Sequence, residues 1–400
     1  MSEDKNHEAG LPQLFYRFMF SRTLTGVSIT SFIIFFMWDV VSHYHSVFLA
    51  GMIVTIYVAV ALIFSFPIGH LIDRLNNTRL NFVASAVVLG GFVILLAGDH
   101  LFFVYAATAI SVFGQTLKLD SFSAIIKKHV QEESFKKANS FSYATTSASS
   151  LIGTLIGGFS IIYLHEYFVY LLLAMTAASI FLSLPIPERE YRAQDGQKTA
   201  FREMKVAVSF IRNIAGLLIL AFFLNGLFIS LDTYSSGLFD LVLMASPIYY
   251  TAFSMCVSLG MMMGAPVANV KFFKRERPIA IALMMLVFSP LIFILALGRS
   301  PLVDVIDAFV IGLVLPIINI PINTKLMMAI PHGIYGKVMA FLRIFTQGAS
   351  PVMGSVFSTL ALFFSIPLVL FWVAVLVVPL TIYSVIILPT FFRFKVAQPE

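Results

Sequence analysis

Residues 47 to 69, VFLAGMIVTIYVAVALIFSFPIG, carry no charged side chain. A stretch of roughly 20 apolar residues is what a helix needs to cross the hydrocarbon of a bilayer, and there the backbone must satisfy its own polar groups. Runs of this kind recur about twelve times, at 17–41, 47–71, 79–98, 101–126, 139–163, 167–185, 213–236, 246–270, 278–297, 301–328, 338–364 and 367–391. Membrane strands would alternate in polarity over about ten residues, whereas these runs are longer and apolar on every face. The expected fold class is therefore an all-α membrane protein of twelve transmembrane helices. Composition agrees: 12% of residues are charged, against about 25% in soluble domains, and the mean hydropathy is +0.93. Little chain remains for a soluble domain.

The first span is too long for a signal-peptide core and shows no small-residue cleavage site before His43, so it is expected to stay attached. The single Cys256 lies inside the eighth span and excludes an intrachain disulfide. Lys and Arg fall in the N-terminal tail and in alternate loops: Arg74 and Arg79; Lys127, Lys128, Lys136 and Lys137; six bases from Arg189 to Arg212; Lys271 to Arg277; Lys337; then Arg393 and Lys395. The opposite loops hold only Arg299. By the positive-inside rule both termini are expected in the cytoplasm of a cell-membrane protein. This topology accounts for the net charge of +6, and no nucleic-acid partner is needed.

The longest polar segment, PIPEREYRAQDGQKTAFREMK, leaves six spans on each side. It suggests an N-terminal bundle at 1–186, a cytoplasmic linker at 187–212 and a C-terminal bundle at 213–400. An internal repeat supports the division. VFGQTLKLDSFSAIIKKHVQEESFKKANSF (112–141) aligns with VIGLVLPIINIPINTKLMMAIPHGIYGKVMAF (310–341): Gly114 matches Gly312, Lys127 matches Lys325 and, after a two-residue shift, Lys137 matches Lys337. ASSLIG (148–153) likewise matches ASPVMG (349–354). Two pseudo-symmetric six-helix bundles are expected.

The loop GHLIDRLNNTR (69–79) resembles the segment between the second and third helices of the major facilitator superfamily. Gly69 would let two helices approach closely, Asp73 would pair with a base or cap a helix, and Arg74 and Arg79 would anchor the loop. The resemblance implies a cytoplasmic gate latch. The sequence departs from the pattern at Asn76, where the family prefers Gly, which implies a weaker latch. The corresponding loop of the second half, GAPVANVKFFKRER, keeps Gly264 and the bases but lacks the Asp. GTLIGG in the fifth span, with Gly153, Gly157 and Gly158, resembles the superfamily's antiporter-associated motif, with Thr154 in place of Pro. It equally serves any close helix pair. AISVFG in the fourth span lacks the base of many proton-driven members. TAFREMKVAVSFIRNIAGLLIL (199–220), GIYGKVMAF and ASPVMG are similar to macrolide-efflux-like exporters.

A charge inside the membrane is costly and so a candidate for function. Lys118 and Asp120 lie in the fourth span about 200° apart on a helix, so each needs another partner. Their repeat mates are Pro316 and Ile318. Both helix-end pairing and substrate or proton coupling fit them. Asp39 closes the first helix, Asp232 lies in the outer third of the seventh, and Asp304 and Asp307 open the tenth. Asp232 is the favoured site of proton exchange, with solvation at the outer edge as the competing reading. Arg22 and Arg343 sit where they can snorkel and anchor helices. Gln115, Asn225, Asn319, Asn323 and Gln347 are uncharged candidates for substrate contact or interhelical bonding. Asn319 and Asn323 share a helix face.

His43 and His45 form an isolated HxH, and no phosphate loop, HExxH or Cys cluster occurs. No metal, no cofactor and no enzymatic activity is expected. The resemblance implies a secondary transporter that uses alternating access to export small amphipathic or drug-like molecules in exchange for protons, and a monomer is expected. Anionic lipids would contact its basic loops. Uptake of a nutrient, movement of a lipid or metabolite, or a transport-inactive membrane sensor are the other readings.

Overall fold

A backbone that leaves the helical state inside a bilayer strands its donors and acceptors, so each apolar run folds as one helix. The computed structural model describes residues 13–98, 100–130, 135–185, 210–212, 214–268, 278–329 and 335–393. The first half contributes α1 (Gln13–Tyr44), α2 (Val47–Arg74), α3 (Asn77–Val93), α4 (Leu101–His129), α5 (Phe135–Tyr163) and α6 (Phe168–Leu182). The second contributes α7 (Ala215–Gly237), α8 (Pro247–Ala268), α9 (Pro278–Leu297), α10 (Pro301–Ala329), α11 (Tyr335–Phe363) and α12 (Ile366–Arg393). No strand occurs among the described residues. Ten described helices are long and apolar enough to cross a membrane, and α11 adds a shorter apolar stretch, Pro351–Phe363. The protein is an all-helical, multi-pass membrane protein.

Several helices overrun the expected spans. α1 begins at Gln13 and ends at Tyr44, and α5 begins at Phe135. Intrahelical hydrogen bonds do not stop where the apolar run stops, so polar flanking residues join the helix. Prolines at 67, 266, 290, 316, 321, 351, 379 and 389 lie inside helices, as packed membrane helices tolerate. α7 passes directly into one wide π turn, Leu238–Val242, in which the Leu243 N–H donates to Leu238 O at 2.9 Å. The α2–α3 connection is short because Asn76 caps α3: its Oδ1 accepts from the N–H groups of Thr78 and Arg79, both at 3.0 Å.

By contacts the chain forms two compact units. Unit 1 contains Met1–Ile33 and Ile63–Ala193; unit 2 contains Ile34–Leu62 and Gln194–Glu400. The segment 34–62, the end of α1 and the start of α2, is thus packed among second-half helices. Inside unit 2, Trp38 lies against Tyr250 with ring centroids 5.6 Å apart. Gly51 sits so close to α7 and α11 that a Cβ there would overlap Ser358 Oγ and Thr233 Cγ2.

In each unit, glycines bring helices into close backbone approach. In unit 1, α3 meets α4 at Gly114, where a Cβ would come within 2.8 Å of Ala84 O. In unit 2, α8 meets α10 at Gly260, Gly264 and Gly312, and a Cβ at Gly312 would collide with the Val257 carbonyl.

Candidate functional site

Lys118 is a lysine sealed inside unit 1, with 1% of its surface exposed. It lies past the middle of α4, one turn beyond Gly114, and its chain reaches the junction of α1, α3 and α6. Its Nζ donates to Ser21 Oγ on α1 at 2.7 Å, Ser85 Oγ on α3 at 2.5 Å and Ser179 Oγ on α6 at 2.6 Å. An ammonium has three N–H donors and no acceptor, so the three hydroxyls saturate it. Asp120, two residues on and half-buried, is not among its partners. This agrees with the angular separation expected from sequence.

The surrounding hydroxyls are themselves ordered. Ser21 Oγ donates to Ser179 O at 2.7 Å, and Ser179 Oγ donates to Ser21 O at 2.9 Å, a reciprocal link between α1 and α6. Ser85 Oγ donates to Asn81 O at 3.1 Å. Thr25 Oγ1 lies 2.8 Å from Ser179 Oγ and Ser183 Oγ lies 2.9 Å from Ser85 Oγ. The Asn81 side-chain amide donates to Lys118 O at 3.3 Å and to Ser121 Oγ at 3.1 Å. All these side chains are buried. Serines scattered over α1, α3 and α6 do not form a motif, so sequence patterns alone do not mark them. The available signal was the demand of a buried lysine for oxygen acceptors.

Arg22, one residue after Ser21, donates to Thr146 Oγ1 on α5 at 2.8 Å and lies over the Phe122 ring, 5.2 Å from its centroid. Arg17 donates to Leu184 O, joining α1 to the end of α6. Both act as helix ties; the Arg343 side chain lies outside the described residues.

Unit 2 holds a different arrangement. Asp304 and Asp307, three residues apart at the start of α10, are 1% and 5% exposed, and the Oδ2 of each has no hydrogen-bond partner among the described residues. The side chain of Asp232, the carboxylate favoured from sequence, lies outside the described residues. Asp39 is 3.2 Å from His43 Nδ1, one turn along the same helix.

The remaining candidates disperse. A Cβ placed on Gly69 would meet nothing described within 4 Å. The side chains of Asp73 and Arg74 lie outside the described residues, and Arg79 is exposed. Asn76 is a helix cap rather than a mere departure from the motif. Gly153 presses on α1, where a Cβ would stand 2.9 Å from Val27 O, and its carbonyl accepts from Ser31 Oγ at 2.9 Å. Gly157 and Gly158 are buried on the same helix. Asn225 is exposed and its amide donates to Ala221 O at 2.8 Å, within α7. Asn319 is exposed, Gln115 is half-buried, and the side chains of Asn323 and Gln347 lie outside the described residues. Among the described residues no group of three or more His, Cys, Asp or Glu side chains could hold a metal ion.

Residues 18–355 match the family model described as Major Facilitator Superfamily. No curated protein matches the chain. The solved structure of the nucleoside transporter NupG superposes with a TM-score of 0.76 at 13% identity, covering 96% of this chain and 100% of that one. A POT family transporter in complex with 5-aminolevulinic acid gives 0.75 at 12% identity, covering 95% and 97%. A peptide transporter POT in complex with sulfate gives 0.72 at 16% identity, covering 96% of each chain. At these identities the likeness is one of fold.

Proposed function

The chain belongs to the major facilitator superfamily, and from that membership we propose that it is a proton-coupled secondary transporter that exports small amphipathic or drug-like molecules by alternating access. Two six-helix halves, 1–186 and 213–400, joined by the linker 187–212, would supply the two moving parts. The gate latch would come from Gly69, Asp73, Arg74 and Arg79, and the export direction rests on the resemblance to macrolide-efflux-like exporters. Both termini would face the cytoplasm of the cell membrane, with anionic lipids on the basic loops and the chain acting as a monomer.

The observation that carries proton coupling is the Asp304–Asp307 pair. Two carboxyl groups on one face of a membrane helix, each with an oxygen that no described group satisfies, are costly to keep ionised. They form a place where a proton can be held and given up. Lys118 is a poor coupling group by comparison, because its donors are already spent on serines.

The test is proton movement in proteoliposomes holding a pH gradient, with a panel of lipophilic cations and macrolides. Drug-dependent proton flux in the wild type that is lost in Asp304→Asn or Asp307→Asn, with the fold retained, is the expected result. Flux that persists in both variants would remove the carboxyl pair from the mechanism. Absence of flux with every compound would transfer the reading to uptake or to lipid or metabolite transport.

A further inference from the structure

We infer that Ser21, Ser85 and Ser179 form a built ammonium site, occupied by the chain's own Lys118, that ties α1, α3, α4 and α6 into one unit. Four observations support it. The ammonium is buried to 1% exposure, where leaving a donor unsatisfied is costly. Its three N–H donors meet three hydroxyl oxygens at 2.5 to 2.7 Å. Each of those hydroxyls has a backbone carbonyl at 2.7 to 3.1 Å for its own proton, so its lone pairs are free to face Nζ. Finally, among the described residues no carboxylate is a partner of Nζ, which meets neutral oxygens.

The orientation of the hydroxyls selects the occupant. A group with three tetrahedral N–H donors fits, whereas a planar guanidinium presents its donors in a fixed fork and a quaternary ammonium presents none. Lys118 is therefore a positioning residue. With every donor used inside unit 1, it has none to offer a transported molecule, and its role is independent of what the chain carries.

The experiment is thermal unfolding of the purified protein in detergent. Lys118→Ala removes three carbons and the amine, which n-propylammonium replaces in size and donors. We expect the melting temperature of Lys118→Ala to fall, and n-propylammonium to recover most of the loss. Tetramethylammonium and sodium at equal concentration should recover none, and none of the three should move the wild type. Lys118→Arg is expected to remain destabilised. Equal recovery by tetramethylammonium, or a Lys118→Arg variant as stable as the wild type, would overturn the site. If Lys118→Ala yields no folded protein, Ser85→Ala and Lys118→Met form a double-mutant cycle. The loss caused by Ser85→Ala should then vanish in the Lys118→Met background. An undiminished loss there would show that Ser85 acts without the ammonium and would overturn the proposal.

Discussion

Gly114 on α4 and Gly312 on α10 are repeat mates, yet the two helices are held by different chemistry one turn further on. In unit 1, the residue four positions after Gly114 is Lys118, whose ammonium reaches hydroxyls on three other helices. In unit 2, the residue four positions after Gly312 is Pro316, which offers no side-chain donor. There α10 is held by direct backbone approach to α8 along Gly260, Gly264 and Gly312. Unit 1 thus adds a polar hub to its glycine contacts, whereas at the matching position of unit 2 a proline stands in the hub's place. The hub fixes several helices through one residue; the glycine seam fixes one helix pair along its length. Lipid offers no hydrophobic drive for helices to associate, so either close packing or interhelical hydrogen bonds must do so.

The largest effect should come from the seam. Gly312→Val would drive a side chain into the Val257 carbonyl, and overpacking costs about 1–3 kcal/mol even where neighbours can shift. Backbone cannot shift as a side chain does, so loss of monodisperse protein on size-exclusion chromatography is expected; normal yield and melting temperature would show that the seam is loose. Ser179→Ala should be next, because it removes an acceptor of the ammonium and one partner of the reciprocal α1–α6 link. Interhelical hydrogen bonds in membranes average about 0.6 and reach about 1.7 kcal/mol, and this one should fall at the upper end because it serves a charge. A cycle against Lys118→Met in chemical denaturation would measure that share. Asn76→Ala should be smallest, about 1 kcal/mol for a lost helix cap. Hydrogen exchange should then rise at the first turn of α3 and stay unchanged in the Lys118 hub; a rise in both would join the loop to the hub.

Much of the architecture was legible in the residues because lipid imposes a simple rule. Among the described residues the apolar runs lie on helices, since each had to satisfy its backbone alone. That Lys118 does not pair with Asp120 also followed, from helix geometry. The carboxyl pair was visible as two residues at the start of the tenth span, but its burial with one orphan oxygen apiece was not. Asn76 read as a break in a family motif, although an Asn just ahead of an apolar run is also a helix-start signal. Gly69 meets no described atom across from it, and a glycine permits contact without requiring it. Whether it is used depends on what the neighbouring helix presents.

The sequence by itself determined the solvent, the helical class, the repeat and the cost of each intramembrane charge, because these follow from local composition and period. Tertiary structure alone decided which charges are satisfied and by whom. Ser21, Ser85 and Ser179 lie far apart along the chain from Lys118, and only helix packing brings their oxygens to one nitrogen. It also decided that residues 34–62 pack among second-half helices. The order of residues in a chain ranks neighbours by covalent distance, whereas a buried ammonium is stabilised by whatever oxygens lie within hydrogen-bonding reach.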